Sequence, residues 1–304
     1  MEIVVNFDDI CGECPVWDEA AGSLYWTDCG GLRFSRYEAA SGRAEILNEG
    51  IEINGFRLNE PGGFAITNNS GIWLWDGKSE PALIVTEVDG AACRMNDCTA
   101  DPAGRLISGS WFYDPAGGYP TGKLISVYPN GKAAILDDGF QLSNGLAFSP
   151  DYSVLYAADS ALRVIYSYSY DVNTGKAGNR RTFVAIPSTE GLPDGLAVDQ
   201  EGYVWTAQWY GSCVVRYDPD GTVERRITTP AKQTSSLAFG GADLSELFIT
   251  TAARSEPMPL MPPGYDPESG TFGGPLYRAR PGIRGLEQCH TRFSPAWPVR
   301  KTAT

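Results

Sequence analysis

The chain has 304 residues, a formal net charge of −13 and a pI near 4.6. This acidity argues against a nucleic-acid partner, whose phosphates need a basic footprint, and against an anionic membrane surface. No apolar run approaches the roughly 20 residues of a membrane-spanning helix, and residues 1–7 lack the basic start and long apolar core of a secretory leader, so a cytoplasmic location is expected.

The first predicted element is a strand over residues 3–7. One short phrase then returns six times: a small or apolar residue, a turn rich in Asp, Pro, Gly or Asn, and an apolar-aromatic strand. The copies begin at Val16, Phe64, Thr99, Ala147, Ala197 and Ala238, and they close at Asp28, Asp76, Ser110, Asp159, Gln208 and Thr251. Successive starts lie 48, 35, 48, 50 and 41 residues apart. A β-rich period of about 40–50 residues is the signature of a propeller, because a single unit cannot bury both of its own faces. The prediction is therefore an all-β, six-bladed β-propeller with a metal site in its central channel, forming one domain over residues 1–304. Residues 244–249 read as turn, then strand. The strand at 3–7 is expected to pair with residues 276–280 and close the ring, which removes exposed sheet edges. Trp17, Trp26, Trp73, Trp75 and Trp205 lie within repeat strands and are expected in the core. The segments 111–120 and 255–274, rich in Gly, Pro and Tyr, are expected to overhang the channel mouth and carry substrate choice.

Three places before each phrase stand Glu13, Pro61, Asn96, Asn144, Asp194 and Ser235. If each phrase opens an innermost strand, these residues share one end of the channel, and Glu13, Asn144 and Asp194 converge. Their oxygens suit Ca²⁺, Mg²⁺, Mn²⁺ or Zn²⁺, with water or substrate in the remaining positions. Asn-Gly and Asp-Gly are also ordinary turn dipeptides; the matching phase across repeats is what points to the axis. The seven cysteines are odd in number and without framework spacing. Cys11-Gly12-Glu13-Cys14 has the CxxC form but no second pair, so free thiols are expected. The single histidine, His290, lies outside the repeat phase and is expected on the surface. A Ser-His-Asp or Cys-His mechanism is then not expected, and hydrolysis would rest on a metal and carboxylates.

Five ordered stretches carry a resemblance. They are Gly12-Glu13-Cys14-Pro15-Val16-Trp17, Arg94-Met95-Asn96-Asp97 with Asp101-Pro102-Ala103-Gly104-Arg105, Ser143-Asn144-Gly145-Leu146, Pro193-Asp194-Gly195-Leu196-Ala197-Val198-Asp199, and Thr234-Ser235-Ser236-Leu237-Ala238-Phe239-Gly240-Gly241. Together they resemble the gluconolactonase/regucalcin (senescence marker protein) family. The resemblance implies one divalent cation (Ca²⁺, Zn²⁺, Mg²⁺, Mn²⁺ or Fe²⁺) held by Glu13, Asn144 and Asp194, with Arg94 and Asn96 facing the substrate. Asp114 falls where some members carry a substrate-contacting Glu, and Cys14 stands where Gly is common. The implied activity is opening of a sugar lactone to its aldonic acid, the cation polarising the carbonyl and Asp194 taking a proton from water. A small-molecule sugar lactone is the expected partner, and a monomer the expected state. Two other readings use the same site: an organophosphate or other ester hydrolase, and a calcium-binding regulatory propeller without turnover.

Overall fold

The predicted period becomes six four-stranded antiparallel sheets in the computed structural model, which describes residues 1–111, 122–253, 260–266, 268 and 270–294. The strands Gly12–Asp18, Gly55–Leu58, Met95–Ala100, Ser143–Phe148, Leu192–Val198 and Thr234–Gly240 each pack against the next around one axis, and the last returns to the first. This ring of inner strands defines a six-bladed β-propeller. There is no helix among the described residues.

The repeated phrase has a physical cause. Its Asp caps the turn between the first and second strands of a blade. In blade 3, Asp101 Oδ1 accepts from the backbone N–H of Ala103 at 3.0 Å and of Arg105 at 2.8 Å. In blade 5, Asp199 Oδ1 accepts from Glu201 at 2.9 Å and Tyr203 at 3.1 Å, while Oδ2 takes Trp205 Nε1 at 2.7 Å and Arg216 Nε at 2.8 Å. An Asx turn of this kind fixes the reversal of the chain.

Blade 2 corrects the sequence phase. Phe64 opens its second strand, Phe64–Asn68, and the inner strand is the short Gly55–Leu58. Pro61 therefore sits in the turn between them, and Asn54 takes the place assigned to it. The inner strand is only four residues long and lacks the Asp that marks the phrase in blades 1, 3 and 5.

Ring closure is as expected. Glu2–Asn6 is the outermost strand of blade 6 and pairs antiparallel with Pro275–Ala279, Ile3 opposite Tyr277. The core lies between blades. Trp17 of blade 1 stacks on Phe248 of blade 6 at 5.7 Å, and Phe34, Phe56, Phe64 and Trp75 form an edge-to-face cluster between blades 1 and 2. Trp17, Trp26, Trp75 and Trp205 are buried as expected, whereas Trp73 is half-buried at the edge of that cluster. Residues 285–293 then cross the far end of the channel, a feature with no counterpart in the repeat. They are held to blades 5 and 6 through Gly285 N on Leu244 O at 2.9 Å, and to blade 2 through Thr291 N on Leu58 O at 2.9 Å.

Candidate metal centre

Glu13, Asn54, Asn96, Asn144, Asp194 and Ser235 occupy equivalent places near the start of the six inner strands. In five of these strands the pairing register slips beside that place: between Glu13 and Val16, Met95 and Cys98, Ser143 and Leu146, Pro193 and Leu196, and Thr234 and Ser236. A bulge re-aims a side chain that strict alternation would send into the sheet. Gly145 and Gly195 are not turn glycines. A Cβ on Gly145 would lie 2.4 Å from Asp194 O, and one on Gly195 would lie 2.0 Å from Ser236 Oγ. Glycine here allows neighbouring inner strands to approach closely.

The six places follow one rule with two exceptions. Asn54 Nδ2 donates to Met95 O at 2.9 Å, and Asn96 Nδ2 to Ser143 O at 2.9 Å. Asn144 Nδ2 donates to Ser160 Oγ at 3.2 Å, which passes the link to Pro193 O at 2.6 Å. Ser235 Oγ donates to Gly12 O at 2.5 Å. Each donor thus reaches the carbonyl just before its counterpart in the next blade, and these bonds form a belt around the channel. Glu13 and Asp194, as carboxylates, have no proton to give. At Glu13 the link is made instead by Thr27 Oγ1 on Ile53 O at 2.8 Å. At Asp194 the side chain is 4% exposed and Oδ1 has no hydrogen-bond partner among the described residues.

The electrostatics follow from this break. Burial, then the Asp194 carboxylate, then Cys29 and Asp97 hold Glu13 well above the usual carboxylate range. Burial, Asp97 and Cys29 do the same to Asp194, against the pull of the Asn144 amide and the Gly195 N–H. Neither carboxylate has an ion-pair partner among the described residues. The buried cation nearby, Arg57, is turned to other partners: Nη1 donates to Phe56 O at 2.6 Å and to Cys14 Sγ at 3.2 Å. Burial raises Asp97 and the Arg57 charge opposes it. The buried Asp194 and half-buried Glu13, without a counter-charge and with a side-chain amide beside them, fit a hard divalent cation. No three His, Cys, Asp or Glu side chains converge in ligating geometry among the described residues, so a candidate protein-derived set here would combine two carboxylates with an amide oxygen.

The loops leading into two of these strands are clamped by carboxylates. Asp28 accepts from Ile10 N at 3.1 Å and Cys11 N at 2.8 Å, two residues before Glu13. Asp159 accepts from Gln141 N at 2.8 Å and Leu142 N at 3.2 Å, two residues before Asn144.

Other sequence-predicted residues distribute as follows. Arg94 is exposed at the same end, its guanidinium 4.9 Å over the ring of Trp111, and Trp111 Nε1 donates to Asn69 Oδ1 at 2.9 Å. Asn96 commits an amide N–H to the belt, which leaves its carbonyl oxygen as the acceptor. Asp114 lies outside the described residues, as do residues 112–120, 255–259, 267 and 269 of the two mouth segments. His290 is at the opposite end, its Nδ1 3.7 Å from Glu60 Oε1, far from any inner-strand start. All seven cysteines are free. The two thiols of the CxxC face different ways: Cys14 accepts from Phe56 N at 3.3 Å, and Cys11 lies across from Cys29, whose N–H donates to Cys11 O at 3.0 Å. Cys14 adopts φ 46°, the left-handed region in which Gly is the natural occupant. Sequence reasoning missed Asn54, the Arg57–Asp97 pair and the Cys11–Cys29 apposition. Only Asn54, followed by Gly55, carried a signal, the same Asn-Gly that opens blade 4.

Residues 11–253 match the profile of the SMP-30/Gluconolactonase/LRE-like region. The chain is 37% identical over 252 residues to a pentonolactonase of Haloferax volcanii, covering 82% of this chain and 84% of that one. It is 35% identical over 259 residues to a 6-deoxy-6-sulfogluconolactonase of Pseudomonas putida, covering 84% and 88%. Among solved structures, a calcium-binding protein, regucalcin, of Agrobacterium tumefaciens superposes with a TM-score of 0.80 at 25% identity, over 96% of each chain.

Proposed function

Because the chain belongs to the SMP-30/gluconolactonase/LRE-like family, we propose that it opens a sugar lactone to the aldonic acid at the Glu13–Asn144–Asp194 centre, with one divalent cation bound there. The observation that carries this reading is the break in the belt. Where four blades place an amide or hydroxyl donor, blades 1 and 5 place carboxylates, half-buried Glu13 and buried Asp194, and Asp194 Oδ1 is left without a partner among the described residues. Leaving such an atom unpaired costs about 1–3 kcal/mol or more, so its retention argues for a bound group. The relatives named pentonolactonase and sulfogluconolactonase support the substrate class.

The residues take the following roles. Glu13, the Asn144 carbonyl oxygen and Asp194 would hold the cation, which supplies Lewis-acid stabilisation of charge on the lactone oxygen. Asp194 Oδ1 accepts a proton from the attacking water as its oxygen bonds to the carbonyl carbon. The ring C–O bond breaks, and the proton passes to the departing ring oxygen, which becomes the new hydroxyl. Arg94, braced on Trp111 at the mouth, presents a forked donor to substrate hydroxyls, and the Asn96 carbonyl oxygen accepts from one.

The test is acid release from glucono-, xylono-, arabinono- and galactonolactones by metal-stripped protein, with Ca²⁺, Zn²⁺, Mg²⁺, Mn²⁺ and Fe²⁺ restored singly. Cation-dependent turnover that disappears in Asp194→Asn supports the reading. Tight cation binding with no turnover of any lactone overturns it in favour of a binding propeller, and turnover of a phosphotriester alone in favour of another hydrolase.

A further inference from the structure

We propose that the pocket on blade 5, flanked by the connection 189–191 that enters that blade and roofed by residues 262–265, is a second binding site that takes a neutral saccharide. It is an open pocket of about 490 Å³, within the size of small-molecule sites, at the same end of the propeller as Glu13 and Asp194. It lies one strand outward from the channel, since Gln208 on its wall pairs with Pro193 of the inner strand.

The key residue is Gln208. In blades 1 and 4 the equivalent places hold Asp28 and Asp159, each clamping the loop that leads into its inner strand. In blade 5 that structural duty is absent. Gln208 is 1% exposed, and its Nε2 has no hydrogen-bond partner among the described residues. A buried amide donor without a partner costs stability unless something visits it. The turn beside it is also strained: Tyr210 and Ser212 take φ of 66° and 52°, and a Cβ on Gly211 would press on Gln208 Cβ at 2.6 Å. Non-glycine residues held in this region cluster at ligand sites.

The roof is pinned rather than merely adjacent. Arg163 spends its guanidinium on Glu190 O at 2.8 Å below and Leu260 O at 2.6 Å above. Lys232 lies 5.0 Å over the Tyr265 ring from the other side. Under that roof Tyr210 and Tyr265 meet edge to face at 4.7 Å, and the Tyr265 hydroxyl is a second buried polar atom without a partner among the described residues. Among the described residues, the charges on the wall, Arg226 and Glu190, neutralise each other at 2.8 Å. Aromatic rings suit the C–H face of a sugar, a free amide and a phenol suit its hydroxyls, and a cancelled ion pair disfavours an anion.

The test uses full-length, metal-loaded protein and cellobiose as the probe, with calorimetry and saturation-transfer NMR. Wild type should bind saturably, and Gln208→Leu and Tyr265→Ala should each weaken binding by about tenfold or more. Gln208→Leu gives up only a long contact from Cys213 Sγ to Oε1 at 3.9 Å and the approach to the Tyr217 hydroxyl, so its melting temperature should fall little, and Tyr265→Ala on the roof provides an independent probe. Asp194→Asn should bind cellobiose within about twofold of wild type, which separates this site from the lactonase reading whichever way that reading falls. Absence of saturable binding by wild type overturns the proposal. So does cellobiose binding lost in Asp194→Asn but untouched in both cavity variants, or sulfate binding at Arg226 in place of the sugar.

Discussion

Asn96 Nδ2 donates to the carbonyl oxygen of Ser143 at 2.9 Å, tying blade 3 to blade 4 one residue before Asn144. Asn54 makes the same bond to Met95 one blade earlier. At Asp194 a carboxylate stands in place of the donor, so the fold forgoes a seam bond and buries a charge. The Asp194→Asn variant should restore the bond and remove the charge. Without metal it should be more stable than wild type, by about 1–3 kcal/mol, while turnover is lost. With saturating cation the order should reverse, because only wild type gains binding energy. Melting curves with and without chelator check this; a chelated variant less stable than chelated wild type would show that Asp194 has a structural role here.

The same two carboxylates should link metal affinity to protons. Without a cation Glu13 and Asp194 are both held well above the ordinary range, by burial first and by neighbouring negative charge second. A cation must displace whatever proton the pair holds. Apparent affinity should therefore rise with pH, and binding in a weak buffer should release protons. In the metal-free protein the raised groups contribute stability that is full below about pH 4 and lost as pH rises through their folded values. Glu13→Gln should flatten both dependences.

The phase argument found Glu13, Asn144 and Asp194 because their blades carry an Asp-capped turn and an apolar strand at fixed distance, and backbone geometry repeats with them. It failed at Asn54 because the inner strand of blade 2 is short and its turn is built on Pro61-Gly62-Gly63 without the marker Asp. The belt itself was not legible. It depends on which side-chain atom meets which carbonyl across a blade seam, and residue spacing does not encode that. The strap at 285–293 was missed for a related reason: it follows no period, and its bonds to Leu58 and Leu244 span the whole ring.

Asp9 gives a separate pH effect, away from the centre. It accepts from Trp26 Nε1 at 2.8 Å and pairs with Arg33 at 3.0 Å, yet burial lifts its carboxyl to about 6. The folded value exceeds the unfolded one, so Asp9 contributes stability below about pH 4 that is lost as pH rises through 6. That rise corresponds to roughly 3 kcal/mol. Asp9→Asn should remove most of that slope between about pH 4 and 6, read from urea midpoints in a pH series; an unchanged slope would rule Asp9 out as its source.

Deleting residues 1–8 removes Glu2–Asn6 from blade 6, uncovers the edge of Pro275–Ala279 and strips Val5 from the Trp17–Trp26–Phe248 cluster. An open edge on a broken ring invites pairing between chains. The truncated protein should be recovered as aggregate; a soluble truncation with wild-type turnover would mean that the other three strands of blade 6 close the ring unaided.

The strap provides the complementary case, a large stabilising contact remote from chemistry. Phe293 is 2% exposed within the cluster of blades 2 and 3, and its N–H donates to Asn59 Oδ1 at 2.8 Å. Asn59 in turn donates from Nδ2 to Phe293 O at 3.1 Å, so the pair is reciprocal. Phe293→Ala keeps those backbone bonds and removes only the ring, at a cost of about 3–5 kcal/mol for an aromatic deletion in a packed core. Because the ring lies at the end of the channel away from Glu13 and Asp194, lactone KM should stay within about twofold of wild type while the urea midpoint falls. A raised KM in a variant that still folds would mean that the strap sets the geometry of the inner strands along their full length, coupling the two ends of the channel.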